Sequence, residues 1–352
     1  MTSRERVSRM FEHREADRIP ITDEPWAGTL RRWTAEGMPA GADWRDYLSI
    51  DKIRRFGVDV SPRYQKETLE ETDGYIVYKT EYGVTLKQQK LEDSTPEFLD
   101  YRVSDPARWA EAKKRMVPSS DRVDWAGLER DLALWRAEGS WIQALFWFGF
   151  DVTHSWMTGF EPMLVAMIED PGWVADMVAH MLDMNIALYD EVWDKGHRFD
   201  SIFWYDDMGY KGTQFFSLAA YRELLKGAHK RAVDWAHGKG IKAHLHSCGM
   251  IEPFVPELAE MGLDALNPLE VKAGMDPLKL KREFGEKLVL HGGINAVLWN
   301  EPDAIRAELE RVIPALKENG GYIFSSDHSV PNTVSLDDMR GVISLVKRLG
   351  RY

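Results

Sequence analysis

Apolar and polar positions along the second half of the chain switch repeatedly between two periods. Apolar runs with period two predict strands, and apolar residues at helical spacing predict amphipathic helices. The predicted strands are 141–147, 201–205, 241–246, 263–267, 287–290 and 322–325. The helices predicted between or after them are 161–195, 217–238, a short one that ends near Gly262, 277–284, 302–317 and one that begins at Ser335. The first of these has a break near 170–172, and Ser217 is the predicted N-cap of the second. Strand–helix alternation implies a parallel sheet with right-handed crossovers, so we expect an α/β fold of the (β/α)8 TIM-barrel class.

The first 140 residues are less regular. We expect an N-terminal helical extension, then barrel strands at 18–22 and 56–60. Residues 74–89 alternate like an antiparallel hairpin with Gly83 near its turn. We therefore predict one barrel domain, 1–352, that carries an insertion over residues 62–135.

Composition narrows the classes of partner. The 352 residues include 45 Lys and Arg against 57 Asp and Glu, a net charge of −12, which argues against nucleic acid or an anionic membrane as partner. The single cysteine permits no internal disulfide and fits a reducing compartment. No apolar signal segment or membrane-length apolar run is evident, so we expect a soluble, cytoplasmic protein.

Candidate metal chemistry is concentrated around the only cysteine. His244 and His246 share one face of the predicted strand, and Cys248 follows just past its end. Imidazole and thiolate suit zinc, and a catalytic zinc needs only three protein ligands. Glu270, after the next predicted strand, could supply the third. The alternative is that Cys248 is a small buried hydrophobic residue and the histidines are hydrogen-bonded core residues.

Polar residues recur at the carboxyl ends of the predicted strands, which form the catalytic face of a TIM barrel. The residues concerned are Asp206, Asp207, His246, Cys248, Glu270, His291, Asp327 and His328. We predict that Asp206 and Asp207 are catalytic, with capping of a turn or helix as the alternative. The predicted substrate-binding residues are Trp147, Phe148, His154, Trp204, Tyr205, His291 and Asp327. Core packing is the alternative for the aromatic residues.

Several short motifs together resemble a known family over essentially the whole chain. They are Arg4-Glu5-Arg6, Asp17-Arg18-Ile19-Pro20, Asp206-Asp207-Met208-Gly209, His246-Ser247-Cys248-Gly249, His291-Gly292-Gly293-Ile294 and Ser325-Ser326-Asp327-His328. They resemble the uroporphyrinogen decarboxylase superfamily. Within it, the His-x-Cys-Gly element is similar to the zinc-dependent, corrinoid-linked methyltransferases.

The resemblance implies a zinc ion held by His246, Cys248 and Glu270. More distant relatives, the cobalamin-independent methionine synthases, use a late cysteine as their last zinc ligand, and this chain has no second cysteine. His328 lies in the corresponding final loop and is expected to be a fourth ligand, a substrate contact or a catalytic acid or base. The resemblance also implies a corrinoid (cobalamin), free or on a partner protein, and a small methyl donor or acceptor. That small molecule would be a methoxyaromatic compound undergoing O-demethylation, or a thiol. A homodimer is one option for the assembly.

One departure from the family argues against the decarboxylase branch. That branch carries an Arg-Gln-Ala-Gly-Arg element for a polycarboxylate tetrapyrrole, where this chain reads Asp23-Glu24-Pro25-Trp26-Ala27-Gly28-Thr29-Leu30. Without those arginines the substrate carboxylates would be left unpaired, so we expect no uroporphyrinogen turnover. The alternatives are a metal-independent decarboxylase or lyase acting on a smaller substrate, and a non-catalytic binding protein. Zinc content distinguishes both from the methyltransferase.

Overall fold

The computed structural model describes residues 1–90 and 94–352. Its strands, in chain order, are β1 (Ile53–Phe56), β2 (Glu67–Glu71), β3 (Tyr75–Lys79), β4 (Val84–Gln89), β5 (Glu97–Tyr101), β6 (Trp141–Phe146), β7 (Ser201–Tyr205), β8 (Gly209–Tyr210), β9 (Thr213–Gln214), β10 (Lys242–His246), β11 (Ala265–Asn267), β12 (Val289–His291) and β13 (Tyr322–Ile323).

The helices lie mostly between the barrel strands. They are α1 (Ser3–Phe11), α2 (Ala27–Ala35), α3 (Trp44–Leu48), α4 (Pro106–Arg115), α5 (Trp125–Ala137), α6 (Phe150–Thr153), α7 (Phe160–Glu169), α8 (Pro171–Asp194), α9 (Leu218–Leu224), α10 (Lys226–Gly238), α11 (Val255–Glu260), α12 (Pro277–Phe284), α13 (Pro302–Leu316) and α14 (Leu336–Leu349). No helix within the described part of the chain is both long and apolar enough to cross a membrane.

Parallel pairing in the order β1-β6-β7-β10-β11-β12-β13 forms the main sheet. The segment 18–22 lies between the two edge strands of this sheet, β13 and β1, and closes the barrel. Phe324 N donates to Pro20 O and Thr22 N donates to Phe324 O, both at 2.9 Å, while Asp51 N donates to Ile21 O at 2.8 Å. The fold is therefore an α/β TIM-type barrel, as predicted.

The prediction of a strand at 56–60 was wrong, because the observed strand β1 lies at Ile53–Phe56. Its position is hidden by two consecutive arginines. Arg54 pairs outward with Asp43 and Glu138, whereas Arg55 points into the barrel and donates to Gln143. Charged residues that are all paired can occupy a strand that no hydrophobic pattern reveals.

Helix α1 covers the end of the barrel opposite the carboxyl ends of the strands. Thr2 and Glu5 form a capping box, and Phe11 stacks on Trp141 at the start of β6 with 5.0 Å between ring centroids. Arg6 pairs with both Asp17 and Asp51. The motifs near the amino terminus therefore stabilise the barrel closure and take no part in the candidate site.

The long segment between β1 and β6 contains a second sheet. Strands β2-β3-β4-β5 pair antiparallel. The predicted hairpin is confirmed as β3 and β4, with Gly83 at φ +83° in the turn. That residues 62–135 are an insertion within a single domain stays a prediction.

Candidate functional site

A cavity of about 290 Å³ opens at the carboxyl ends of the barrel strands. Most of the residues that line it are polar, and β7 contributes two aromatic side chains. It is lined by Thr22, Asp23, Glu24, Arg45, Asp51, Ile53, Arg55, Phe203, Tyr205, Asp207, His246, Cys248, Asn267, Pro268, His291, Ser325, Ser326, His328 and Ser329. The volume is at the lower end of the range for small-molecule sites.

Asp207, His246 and Cys248 form what we call the inner cluster. One potential ligand atom from each lies within 4.8 Å of the others. His246 Nε2 is 3.2 Å from Cys248 Sγ and 3.7 Å from Asp207 Oδ1. Burial and the carboxylates of Asp207 and Glu270 raise the pKa of the Cys248 thiol well above its usual value. An imidazole, a thiol and a carboxylate that converge in this way are a donor set suited to zinc.

Asn267 fixes the orientation of the His246 ring. Its Oδ1 lies 2.5 Å from His246 Nδ1, while its Nδ2 donates to the backbone oxygen of His291 at 3.1 Å. Because an amide oxygen can only accept, Nδ1 of His246 is the donor in this contact, and Nε2 faces the inner cluster. This is how a partner outside the ligand set usually orients a metal-binding histidine.

Two glycines allow the loops that carry these donors to pack together. A Cβ atom on Gly249 would lie 2.1 Å from the carbonyl carbon of Gly209, and one on Gly209 would lie 2.7 Å from Met250 N. Cys248 N also donates to Asp207 Oδ1 at 2.7 Å. The loop after β7 and the loop after β10 are thus in backbone contact, which sets the spacing of Asp207 and Cys248.

Two further predicted zinc ligands lie near the inner cluster but outside it. Glu270 accepts a hydrogen bond from Gly249 N at 2.7 Å, and its other oxygen is 3.6 Å from Lys272 Nζ. His328 is exposed at the cavity mouth and stacks on Trp26 with ring centroids 6.2 Å apart. Glu270 thus supports the loop that carries Cys248, and His328 lies at the rim.

Of the two predicted catalytic aspartates, the structure brings only Asp207 to the cavity. Asp206 is fully buried and belongs to what we call the outer cluster, formed with His229 and Tyr221. Its Oδ2 is 2.7 Å from His229 Nε2, and His229 Nδ1 is 3.2 Å from the Tyr221 hydroxyl. Asp206 Oδ1 accepts from Asp151 N. These contacts hold the Asp206 side chain behind the sheet, away from the cavity lining.

Strand alternation separates the aromatic residues predicted to bind substrate. Tyr205 faces the cavity, whereas Trp204 is fully buried on the opposite face and stacks on Phe148, 5.8 Å away. Trp147 is half-buried and meets Tyr205 edge-on at 6.4 Å. Trp204 and Phe148 therefore belong to the packing between sheet and helices, and Trp147 supports Tyr205 from behind.

The remaining predicted residues lie at three different places. His291 lines the cavity, where its Nε2 is 2.8 Å from Thr22 Oγ1 and burial lowers its pKa to about 3. Asp327 is buried and accepts from Ala296 N and Lys272 N. His154 lies outside the cavity lining, 3.4 Å from Asp151. His291 is therefore a neutral cavity residue, whereas Asp327 organises the loops beside it.

The sequence did not reveal several residues of the cavity wall. Arg55 donates to Gln143 Oε1 at 2.9 Å, pairs with Glu24, and places its guanidinium carbon 4.1 Å from the centre of the Phe203 ring. Phe203 could have been found, since it shares a strand face with Tyr205. Arg55 could not have been found, because the strand predicted here began at residue 56.

Comparison with known proteins gives a consistent family match. The family described as uroporphyrinogen decarboxylase (URO-D) matches residues 150–349. The uroporphyrinogen decarboxylase of Nitrosospira multiformis is 24% identical over 191 residues, which are 50% of this chain and 48% of that protein. That of Magnetococcus marinus is 24% identical over 382 residues, covering 99% of this chain and 98% of that protein. The chain thus spans about half of the first relative and nearly all of the second.

One solved structure matches along its whole length. The chain superposes on a methyltransferase from Methanosarcina mazei with a TM-score of 0.68 and 14% identity, covering 99% of each chain. At this identity the likeness shows a shared fold.

Proposed function

Because this chain belongs to the uroporphyrinogen decarboxylase family, we propose that it is an enzyme of that fold which has become a zinc-dependent methyltransferase working with a corrinoid. The observation that carries the proposal is the inner cluster, whose imidazole, thiol and carboxylate converge within 4.8 Å at the carboxyl face of the barrel. Polar residues placed there by separate strands are typical of TIM-barrel active sites.

The donor set fits a zinc ion. His246 and Cys248 would be two of its ligands, and Asp207 is better placed for the third than Glu270, because a carboxylate oxygen of Asp207 lies within 4.8 Å of the donor atoms of both other residues. Bound there, zinc would supply Lewis acidity to the heteroatom that carries or receives the methyl group, and it would favour the thiolate form of Cys248.

The residues of this chain would orient the small substrate. Phe203 and Tyr205 offer an aromatic wall beside the inner cluster, with ring centroids 6.2 and 4.8 Å from that of His246. His291, kept neutral by burial, can hold a hydrogen bond without adding charge. Glu24 and His328 are exposed at the mouth, so the cavity is open toward solvent, where a corrinoid would have to approach. This wall favours a methoxyaromatic methyl donor over a thiol acceptor.

The test has two parts. Metal analysis of protein purified without chelator should find about one zinc per chain. The visible spectrum of cob(I)alamin should then change when methoxyaromatic donors are added, and that of methylcobalamin when thiols are added. If the site is filled with zinc and neither spectrum changes across a broad set of compounds, the methyltransferase proposal is wrong.

A second candidate function follows from the names of the relatives, which are uroporphyrinogen decarboxylases. A metal-independent decarboxylase or lyase would remain active after exhaustive chelation, whereas the methyltransferase would not. Uroporphyrinogen itself is a poor fit, because the cavity of about 290 Å³ is small for a tetrapyrrole and residues 23–30 contain no arginine.

A further inference from the structure

Arg55 is a cation inside the cavity that the proposed chemistry does not use. It projects from β1 into the barrel, and only 18% of its side chain is exposed. A guanidinium in such a place is costly unless it is paired. Its partners therefore indicate what the cavity is built to receive.

The two partners of Arg55 differ in how firmly they are held. Gln143, on the inner side, is fully buried and also bonds to Ser201 and His244. Glu24, on the outer side, lies at the cavity mouth with 57% of its side chain exposed. Glu24 can turn into solvent, and another carboxylate that arrives at Arg55 would keep the guanidinium paired. The inner contact is thus permanent, and the outer one can be exchanged.

Among residues 1–90 and 94–352, no acceptor is found for Nη2 of Arg55. Its Nε donates to Gln143 and its Nη1 donates to Glu24. A planar guanidinium with one terminal nitrogen free and the other held by an exposed carboxylate can bind an incoming carboxylate through both nitrogens.

Phe203 is a neighbour of both Arg55 and the inner cluster. Its ring lies 4.1 Å from the guanidinium carbon of Arg55 and 6.2 Å from the His246 ring centroid. One aromatic ring of the cavity wall therefore neighbours both the cation and a proposed metal ligand. A benzene ring lying along Phe203 and Tyr205 would reach both.

We propose that Arg55 anchors the carboxylate of a small aromatic substrate whose ring lies along Phe203 and Tyr205 and whose methyl-bearing oxygen points to the inner cluster. This inference rests on the proposed function and narrows its substrate class to methoxybenzoates. In this proposal Glu24, which pairs with Arg55, gives up its place to the substrate carboxylate when the substrate binds.

Binding without turnover tests this proposal separately from the methyl transfer. Isothermal titration of the zinc-loaded protein, with no corrinoid present, would compare 4-methoxybenzoate with the isosteric, uncharged 4-methoxybenzamide. We expect the carboxylate to bind at least about tenfold more tightly, because charge-assisted bidentate hydrogen bonds are the strong ones. Equal or weaker carboxylate binding, or no carboxylate binding at millimolar concentration, would overturn the proposal.

Variants assign the preference to Arg55. Arg55→Gln should abolish it, Arg55→Lys should retain part of it, and Glu24→Gln should increase it by removing the competing carboxylate. Arg54→Gln is the matched control, since Arg54 is the neighbouring cation whose side chain points away from the cavity toward Asp43 and Glu138. If Arg55→Gln does not fold, Arg55→Lys and Glu24→Gln decide. A carboxylate preference that survives in all Arg55 variants contradicts the proposal.

The two proposals fail in different ways. If methoxybenzoate binds through Arg55 but never alters the cob(I)alamin spectrum, the anchor stands and the methyltransferase is wrong. If methoxybenzamide is demethylated as readily as methoxybenzoate, the methyltransferase stands and the anchor is wrong.

Discussion

The inner and outer clusters each contain an aspartate and a histidine, and they differ in whether these side chains are sealed inside the protein or face the cavity. In the outer cluster Asp206 and His229 are fully buried, and both ring nitrogens of His229 have protein partners. In the inner cluster His246 bonds to Asn267 through Nδ1, while its Nε2 is 3.2 Å from Cys248 Sγ and 3.7 Å from Asp207 Oδ1 in an open cavity.

This difference separates structural from functional polar residues without any reference to relatives. A buried aspartate–histidine pair with satisfied hydrogen bonds holds elements together. A half-buried pair whose lone pairs converge on open space is suited to bind something. The adjacent aspartates differ in this respect, since Asp206 is fully buried in the outer cluster and Asp207 lines the cavity in the inner cluster.

The largest expected effect is at the inner cluster. Cys248→Ser should remove zinc and lower kcat/KM by about a thousandfold or more, because the metal loses a thiolate ligand. Circular dichroism should be unchanged, since the barrel core does not depend on this loop. Metal analysis and the cobalamin assay would measure the first effect. A variant that unfolds would show that Cys248 is structural after all.

The outer cluster should show the opposite response. Asp206→Ala leaves His229 buried without its partner, and we expect the free energy of unfolding to fall by about 3 kcal/mol or more. Urea denaturation would measure it. Zinc bound per folded chain should stay at the wild-type level. Asp206→Asn, which keeps the shape and one acceptor, serves as the milder control, and a loss of zinc in it would contradict the division between the clusters.

An intermediate effect is expected at Asn267, which orients His246. Asn267→Ala should weaken zinc affinity by about 10–100-fold while leaving all ligands in place. Competition with a chelator of known affinity would measure the change. Asn267→Asp provides another oxygen acceptor for Nδ1 and should lose much less. Equal losses in the two variants would mean that the hydrogen bond is not what orients the ring.

The effect expected to be smallest for each single step is a pH dependence at Asp151, which lies between the clusters and acts gradually over several pH units. Burial, with the charges of Asp207 and Asp206 nearby, raises the pKa of Asp151 to about 8 from 3.8. The folded state therefore holds a proton that the unfolded state has released, and stability should fall as pH rises between these values, by at most about 1.4 kcal/mol per pH unit.

Thermal unfolding of metal-free protein between pH 5 and pH 8 would reveal this slope. Asp151→Asn should flatten it, and zinc, by offsetting the charge of Asp207, should reduce it. A wild-type slope that survives in Asp151→Asn must come from another group.

The barrel could be predicted because its inner strands are apolar and alternate with amphipathic helices. The predicted strand at 201–205 coincides with β7, and Ser217 is confirmed as an N-cap that accepts from Ala220 N. The polar strand β1 escaped prediction, because its charges are neutralised by partners distant in sequence.

The sequence predicted where the candidate site lies better than it predicted which residues form it. His246 and Cys248 are brought together as their spacing suggests. That Asp207, and not Glu270, lies in the inner cluster depends on the contact between Gly209 and Gly249, which no spacing along the chain reveals. The placement of Trp204 on the outer face follows from strand alternation.

The seam of the barrel has a consequence for when the site can form during synthesis. Residues 20–22 pair with Phe324, Thr29 donates to Val330 O, and Trp33 donates to Val334 O, so contacts spanning some 300 positions complete the ring. A growing chain on the ribosome has His246 and Cys248 in place well before residues 325–329 are made. The cavity is thus among the last features to form, because its walls combine residues from the first and the last parts of the chain to be synthesised.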